Sequence, residues 1–183
     1  MIVLIVIVVY NKRISDLTIF KEKFNHNIDI YIYDNSKHAQ VVPFFKNVNI
    51  YYEHDPNNNG VSRAYNHAFK KSKELNKKLI LLLDQDSNFK IRYLEQYLKL
   101  YKKYKDEYIY APIVCNKNKT KIYSPSFMKY FIGKVQKFNN FNYKEIYNIK
   151  NKSIINSGLM IPLKLYEKIG GYNEIFKLDF SDI

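Results

Sequence analysis

Asp84-Gln85-Asp86 is the sharpest chemical feature of this 183-residue sequence, because it places two carboxylates one residue apart, directly after an apolar run at residues 79–83. Two carboxylates so spaced can share one divalent cation, and hard oxygen ligands suit Mg²⁺ or Mn²⁺, with substrate phosphates completing the shell. The alternative is that the aspartates only cap the next helix. Since Ser87 and Asn88 suffice for a cap, the spacing favours a metal site at Asp84 and Asp86.

Three further polar clusters follow apolar segments: Tyr10-Asn11, Asp34-Asn35-Ser36 and the stretch at residues 57–60. Each cluster alone is more often turn chemistry than a functional site. In an open parallel sheet, however, ligands bind beyond the carboxyl ends of the strands. The repetition of polar residues at that position is therefore more informative than any one cluster, and it predicts a common binding edge.

The elements that must position these clusters alternate in type. We predict strands at residues 2–10, 28–33, 48–52, 79–83, 108–113 and 154–161, and helices at residues 16–24, 61–75, 91–101 and 162–169. Residues 116–152 show no sustained period and predict a loop-rich β region. Short apolar strands alternating with amphipathic helices indicate an α/β fold with a mainly parallel sheet and helices on both faces.

Composition narrows the function classes. Cys115 is the only cysteine, which excludes a disulfide scaffold, and with four scattered histidines it builds no zinc knuckle. The first nine residues are wholly apolar, but they are too few to span a bilayer and lack the basic start of a signal peptide, so they predict a buried strand. We therefore expect a cytoplasmic protein, either free or attached peripherally to the inner face of the membrane.

The net charge of +13 comes mainly from lysine, since only three of the 30 basic residues are arginine. The abundance of Lys, Asn, Ile and Tyr fits a genome poor in G and C, so composition alone explains part of this charge. A lysine-rich surface can lie on anionic lipid or attract nucleotide phosphates, whereas reading DNA favours arginine. As the partner of this charge, we rank a membrane surface or a nucleotide above a nucleic acid.

No phosphate loop and no Gly-x-Gly-x-x-Gly follows the first strand, which disfavours an ATPase and a dinucleotide oxidoreductase.

Six segments together carry a family resemblance: Val9-Tyr10-Asn11, Tyr33-Asp34-Asn35-Ser36, Asn58-Asn59-Gly60 with residues 61–66, Leu83-Asp84-Gln85-Asp86-Ser87, Asn156-Ser157-Gly158, and Gly170-Gly171-Tyr172-Asn173-Glu174 with residues 179–182. In this order they resemble the motifs of family 2 glycosyltransferases with the GT-A fold, most closely the rhamnosyltransferase-like branch in bacteria. The resemblance implies a Rossmann-like, mainly parallel sheet, forming a single GT-A domain over residues 1–183.

The resemblance also implies a reaction. A sugar, rhamnose in that branch, would move with inversion from a UDP- or dTDP-linked donor to a hydroxyl of a saccharide or lipid-linked saccharide, in surface polysaccharide synthesis. Mn²⁺ or Mg²⁺ would be held by Asp84 and Asp86, and Asp182 would be the catalytic base. Ser157, Gly158 and Asp179 would bind the acceptor. The implied donor-binding residues are Tyr10, Asn11, Asp34, Asn59, Gly60, Arg63, Asn66, Asp84 and Gln85.

The sequence departs from the family pattern at its end, since Ile183 follows Asp182 directly where family members continue with further elements. We therefore expect a domain truncated at its C-terminus. Two alternatives stay open: a catalytically inactive, nucleotide-sugar-binding remnant of the same fold, and a lysine-rich nucleic-acid-binding α/β domain, which has no recognised nucleic-acid motif in its favour.

Overall fold

A five-stranded sheet forms the centre of the computed structural model, which describes residues 1–129, 132–137, 146, 148, 150 and 152–176. Its strands are β1 (Val3–Val9), β2 (Ile28–Asp34), β3 (Val48–His54), β4 (Leu79–Asp84) and β9 (Met160–Pro162). They lie in the order β3-β2-β1-β4-β9; the first four are parallel and β9 is antiparallel to β4.

Strand β1 is an inner strand, as its composition predicts. It pairs with β2 on one side and β4 on the other. Successive side chains enter opposite faces of the sheet: Val3, Ile5 and Ile7 pack in one core, and Leu4 and Val6 in the other. A strand buried on both faces leaves no position for a polar residue, which explains the uninterrupted Val and Ile.

Helices cover both faces of the sheet, which confirms the predicted layers. Helices α1 (Val61–Glu74) and α3 (Leu163–Ile169) pack on one face through Ala64, Tyr65 and Tyr166. Helix α2 (Tyr93–Tyr104) packs on the other face through Leu94 and Tyr97. Helix α1 ends at Glu74. Gly170, in the left-handed conformation, ends α3 as expected.

The predicted helix at residues 16–24 is wrong. The segment forms two short 3₁₀ turns, Ile14–Asp16 and Thr18–Lys21, separated by Leu17 in an extended conformation. Residues 35–47, between β2 and β3, are also irregular, so the alternation of strand and helix is incomplete there. A short amphipathic stretch needs tertiary packing to become helical, and here Ile14, Leu17 and Ile19 reach the core from the turns instead.

The strand predicted at residues 108–113 reduces to one bridge between Tyr110 and Met160. Pro112 has no N–H to donate to a ladder, which limits pairing there. The strand predicted at residues 154–161 is likewise shorter: it is β9, preceded by a turn.

Part of the loop-rich region forms a small antiparallel sheet of β5 (Val114–Cys115), β6 (Lys121–Lys129), β7 (Ile132–Lys137) and β8 (Lys152–Ser153). In the described part of the chain, no helix is long and apolar enough to cross a membrane.

Candidate functional site

The carboxyl ends of β1, β2 and β4 are tied together by hydrogen bonds. The Tyr10 backbone N–H donates to Gln85 Oε1 at 2.9 Å, and Lys12 Nζ donates to the Gln85 carbonyl at 2.9 Å. The Asn11 backbone N–H donates to Ser36 Oγ at 2.9 Å. Three of the four predicted polar clusters therefore lie at one edge, and Gln85 links the ends of β1 and β4.

Asp34, at the end of β2, is fully buried. Its Oδ1 accepts the Ser36 backbone N–H at 2.9 Å, and its Oδ2 accepts both the Tyr52 hydroxyl and Gln40 Nε2 at 2.9 Å. The carboxylate therefore has three internal donors, and a ligand reaches it only by displacing one of them. Gln40 is the displaceable partner, because it comes from an irregular segment whereas Tyr52 belongs to β3.

The Gln40 side-chain amide sits in a cradle of complementary groups. Besides the bond to Asp34, its Nε2 donates to the Lys12 carbonyl at 3.0 Å, and its Oε1 accepts the Ile14 backbone N–H at 3.1 Å. The cradle thus offers one N–H donor and two acceptors to a planar group with adjacent carbonyl and N–H. The sequence analysis missed Gln40, and no signal in the sequence marks a single glutamine in an irregular segment.

Asp55 organises the loop before α1, and it too escaped the sequence analysis. Its carboxylate accepts the Tyr33 hydroxyl at 2.9 Å and Asn59 Nδ2 at 2.9 and 3.0 Å. Burial raises the pKa of Asp55, but the hydrogen bonds from Asn59 and Tyr33 outweigh it and hold the pKa below its ordinary value. Asn59 is therefore engaged in shaping the loop. Gly60 precedes α1 with φ 93°, a conformation that favours glycine.

Arg63 lies in the first turn of α1, and only part of its guanidinium group has a partner within the described residues. Its Nη1 is 3.9 Å from Glu174 Oε2, a long ion pair with both side chains over 40% exposed. The buried Nε of Arg63 and the buried Oδ1 of Asn35 have no hydrogen-bond partner within the described residues. Buried polar atoms are usually satisfied, so both atoms are candidates for contact with a ligand.

Asn66, which the sequence predicts to bind the donor, makes four internal hydrogen bonds. Its Oδ1 accepts the Tyr166 hydroxyl at 2.5 Å and the Tyr172 backbone N–H at 3.0 Å, and its Nδ2 donates to the Tyr172 carbonyl and to Glu174 Oε1, both at 2.9 Å. All four of its hydrogen-bonding positions are used. In this structure the amide fastens the segment after α3 to α1, and donor binding by Asn66 stays a prediction.

Asp84 and Asp86 are both exposed just past the buried part of β4. Among the described residues, no cluster of three or more His, Cys, Asp or Glu could hold a metal by itself. Two exposed carboxylates fit a cation that takes its other ligands from phosphate and water, which is the usual manner of Mg²⁺ binding. The residues therefore fit a cation bound together with a phosphorylated ligand.

Ser157 and Gly158 lie beside the same edge. The Ser157 hydroxyl bonds the Ser87 hydroxyl, and the Gly158 N–H donates to the Leu82 carbonyl at 2.7 Å. Gly158 has φ +85°, and a Cβ there would stand 2.7 Å from Pro112 Cγ. The turn is therefore pressed against its neighbours, with Ser157 next to Asp84.

A cavity of about 810 Å³ opens beside this turn. Ser87 and Ser157 line it at the side of Asp84. Phe89, residues 111–115 and helix α2, through Tyr93 and Tyr97, contribute mainly apolar walls. The volume suits a small molecule or part of a larger one. The predicted residues Asp179 and Asp182 lie outside the described residues.

The comparisons with known proteins agree with this architecture. A family model for glycosyl transferase family 2 matches residues 4–170, so the chain belongs to this family. That match contains the central sheet except for Val3, and the edge at which the polar clusters meet. A comparison with curated proteins found no match to the chain.

Solved structures show the same fold. The structure of S. aureus TarS 1-349 matches with a TM-score of 0.59 and 14% identity, covering 100% of this chain and 53% of that one. A second structure of S. aureus TarS matches with a TM-score of 0.59 and 14% identity, covering 100% of this chain and 32% of that one. The chain thus spans about half of the first structure. The predicted α/β fold of the GT-A type is confirmed.

Proposed function

We propose that the chain binds a nucleotide-sugar diphosphate at the carboxyl edge of its sheet and transfers the sugar to an acceptor hydroxyl. One observation supports this most directly: Gln85 joins the exposed carboxylates of Asp84 and Asp86 to the end of β1, beside the polar cradle at Asp34. A diphosphate at the carboxylates and a base in the cradle would then belong to one ligand.

The Gln40 amide indicates which edge of a base fits the cradle. It presents a carbonyl next to an N–H to the Ile14 N–H, the Lys12 carbonyl and Asp34. Uracil, thymine and guanine present a carbonyl next to a ring N–H, and cytosine and adenine present an acceptor ring nitrogen next to an amino group, so the cradle fits the Watson–Crick edge of any of these bases. We propose that the base replaces the Gln40 amide at Asp34 and that Tyr10, 51% exposed, stacks on it. UDP and dTDP donors satisfy this chemistry.

The diphosphate would lie at Asp84 and Asp86, with Asn11, Asn59 and Gly60 bordering the nucleotide. Mn²⁺ or Mg²⁺ held by the two aspartates would neutralise charge on the leaving diphosphate. Arg63 supplies a second positive group, because its side chain is 42% exposed and its ion pair with Glu174 is long, at 3.9 Å. The aspartates orient the ligand, and the arginine stabilises the charge that develops on it.

The acceptor would approach from the side of Ser157 and Gly158, with the cavity beside them holding an apolar part of a saccharide or lipid-linked acceptor. We propose Asp182 as the general base that takes the proton from the attacking hydroxyl, and Asp179 as an acceptor contact. Attack from the face opposite the diphosphate gives inversion. Rhamnose as the sugar, surface polysaccharide as the product, and a cytoplasmic, peripheral membrane location belong to the same proposal.

Calorimetry with UDP, dTDP, GDP and CDP, each with and without Mn²⁺, tests the binding step. We expect binding of at least one of these nucleotides, strengthened by Mn²⁺. Turnover of the matching nucleotide sugar tests the transfer step, and Asp182→Asn should lower it by ~100-fold or more with nucleotide affinity unchanged. Binding without turnover would favour the catalytically inactive alternative. Absence of binding to any of the nucleotides would contradict the proposal.

A further inference from the structure

Two apolar side chains stand out from the surface beside the cradle. Val41 is 93% exposed and Phe44 is 90% exposed, both in the irregular segment between β2 and β3. We call this pair the apolar tip. A single exposed apolar residue is ordinary. Two apolar side chains that are almost fully exposed within four residues indicate a surface that a membrane or another molecule covers.

The segment that bears the apolar tip is anchored on both sides. Gln40, just before Val41, is held in the cradle by its side chain, and its backbone N–H donates to the Tyr52 hydroxyl at 2.9 Å. Phe45, just after Phe44, stacks on Phe20 with ring centroids 3.9 Å apart. The backbone bond from Gln40 to Tyr52 and the stack of Phe45 on Phe20 therefore hold the tip outward in this structure, because burying the tip would break these contacts.

The surroundings of the apolar tip are positively charged. Lys37 and Lys46 flank it along the chain, and Lys21 and Lys23 lie on the segment against which Phe45 packs; all four are exposed. Across residues 20–27 and 35–47 the single acidic residue is Glu22, and its Oε1 is already bonded to Lys90 Nζ at 2.9 Å. Exposed apolar side chains on a lysine-bearing segment, packed against a second lysine-bearing segment, match a bilayer that carries anionic headgroups.

We propose that the apolar tip inserts into the surface of an anionic lipid bilayer, with Lys21, Lys23, Lys37 and Lys46 contacting the headgroups. The charge complementarity selects lipid over a second copy of this chain, because a copy would bring the same positive charges together. The inference deepens the peripheral location that forms part of the proposed function. It does not depend on sugar transfer, since the tip lies on the surface and outside the catalytic residues.

Sedimentation with vesicles tests the inference. The full chain should bind vesicles of equal parts phosphatidylcholine and phosphatidylglycerol, and bind phosphatidylcholine alone much more weakly. The double change Val41→Asp with Phe44→Asp should lower the partition coefficient at least ~10-fold, since it replaces both inserting side chains by charges. The matched control is Ile169→Asp with Ile175→Asp, which adds the same charge at apolar side chains 57% and 82% exposed elsewhere. The control should keep most of the binding.

Three results would overturn the inference: no binding of the unchanged chain to anionic vesicles, an equal loss of binding in the control, or a tip variant that alters self-association in light scattering and leaves vesicle binding intact. Nucleotide titration of the same proteins separates this outcome from the proposed function. A chain that binds vesicles but no nucleotide would support the lipid surface and contradict the proposed function. A chain that binds nucleotide but no vesicles would support the proposed function and contradict the lipid surface.

Discussion

Gln40 is the residue whose contacts most change the interpretation of the site. If its amide holds the place of a base, then ligand binding must break the hydrogen bonds to Asp34, Lys12 and Ile14. Each bond is worth about 0.5–1.5 kcal/mol net, so their loss on binding weakens the observed affinity.

We predict that Gln40→Ala raises the affinity for the nucleotide that binds the unchanged chain about 10-fold or more, because the competing amide and its three hydrogen bonds are gone. Isothermal calorimetry measures the change. The control is Gln96→Ala, which alters a glutamine in the wall of the cavity and should leave nucleotide affinity unaltered. A loss of affinity in Gln40→Ala would mean that the amide contacts the nucleotide instead of yielding to it.

Asp86 is predicted to act through a cation that arrives with the nucleotide. Mn²⁺ alone should bind weakly, because the site offers only the carboxylates of Asp84 and Asp86 among the described residues. Asp86→Ala should abolish the enhancement of nucleotide binding by Mn²⁺, and should shift the melting temperature little because the side chain is exposed. Asp16→Ala is the control, since it removes an exposed carboxylate paired with Arg13. An unchanged Mn²⁺ effect in Asp86→Ala would refute the assignment.

At the residue scale, sequence reasoning found carboxylates better than it found their partners. Asp34, Asp84 and Asp86 were identified because each follows a buried strand, and a strand end predicts an edge of the sheet. Gln40 and Asp55 were missed because their importance depends on contacts 6 and 22 residues away along the chain, to Asp34 and Tyr33. No local pattern encodes such contacts.

At the scale of elements, the turn before β9 is the most constrained feature beside the site. Gly158 combines a left-handed backbone with a neighbour that leaves no room for a side chain. Gly170, which ends α3, has nearly the same φ of +83° but no atom within 4 Å of the position of a Cβ. The two glycines therefore separate backbone strain from steric conflict.

We predict that Gly170→Ala costs about 1 kcal/mol of unfolding free energy, from backbone strain alone. Gly158→Ala should cost a further 1–3 kcal/mol or so, because Pro112 must also move. Urea unfolding of the two variants measures the difference. Equal costs would mean that Pro112 yields freely and that the turn tolerates a side chain.

Elements were predictable where apolar periodicity was long. Helix α1 follows from its stripe of buried residues, and strand β1 follows from its uninterrupted apolar run. At residues 16–24 the helical spacing of Leu17, Phe20 and Phe24 predicted a helix that does not form, since only Phe20 lies in a 3₁₀ turn. The antiparallel direction of β9 was equally invisible, since a three-residue strand carries no signal of its direction.

At the scale of the whole molecule, the alternation of strand and helix predicted the layers correctly even where single elements failed. Burial on both faces of β1 requires cover on both sides, and α1 and α2 supply it. Buried polar contacts also join the strands of the sheet to the segments that connect them. Lys77, after α1, is the clearest of these, because its Nζ bonds Asp29 Oδ2 in β2 at 2.7 Å with both side chains about nine-tenths buried.

This buried pair should be visible in the pH dependence of global stability. Burial by itself raises the pKa of Asp29, but hydrogen bonds from Lys77 and Asn49 outweigh it and hold the pKa below its ordinary value of 3.8. A carboxyl whose pKa is lowered by folding stabilises the protein fully above its unfolded pKa, and that stabilisation is lost as the pH falls through the folded pKa. The contribution of the pair should therefore be complete at pH 7 and should decline below about pH 4.

We predict that Lys77→Met lowers the unfolding free energy by about 3 kcal/mol at pH 7, because it leaves a buried carboxylate without its cation. The difference from the unchanged chain should shrink as the pH falls towards 3, where protonation of Asp29 removes the unpaired charge. Denaturant unfolding at the two pH values measures both numbers. Lys73→Met is the control, since its pair with Glu167 is exposed and should contribute less than ~1 kcal/mol at either pH. A penalty for Lys77→Met that stays constant with pH would show that Lys77 acts through packing and its bond to the Met1 carbonyl, and not through the charge of Asp29.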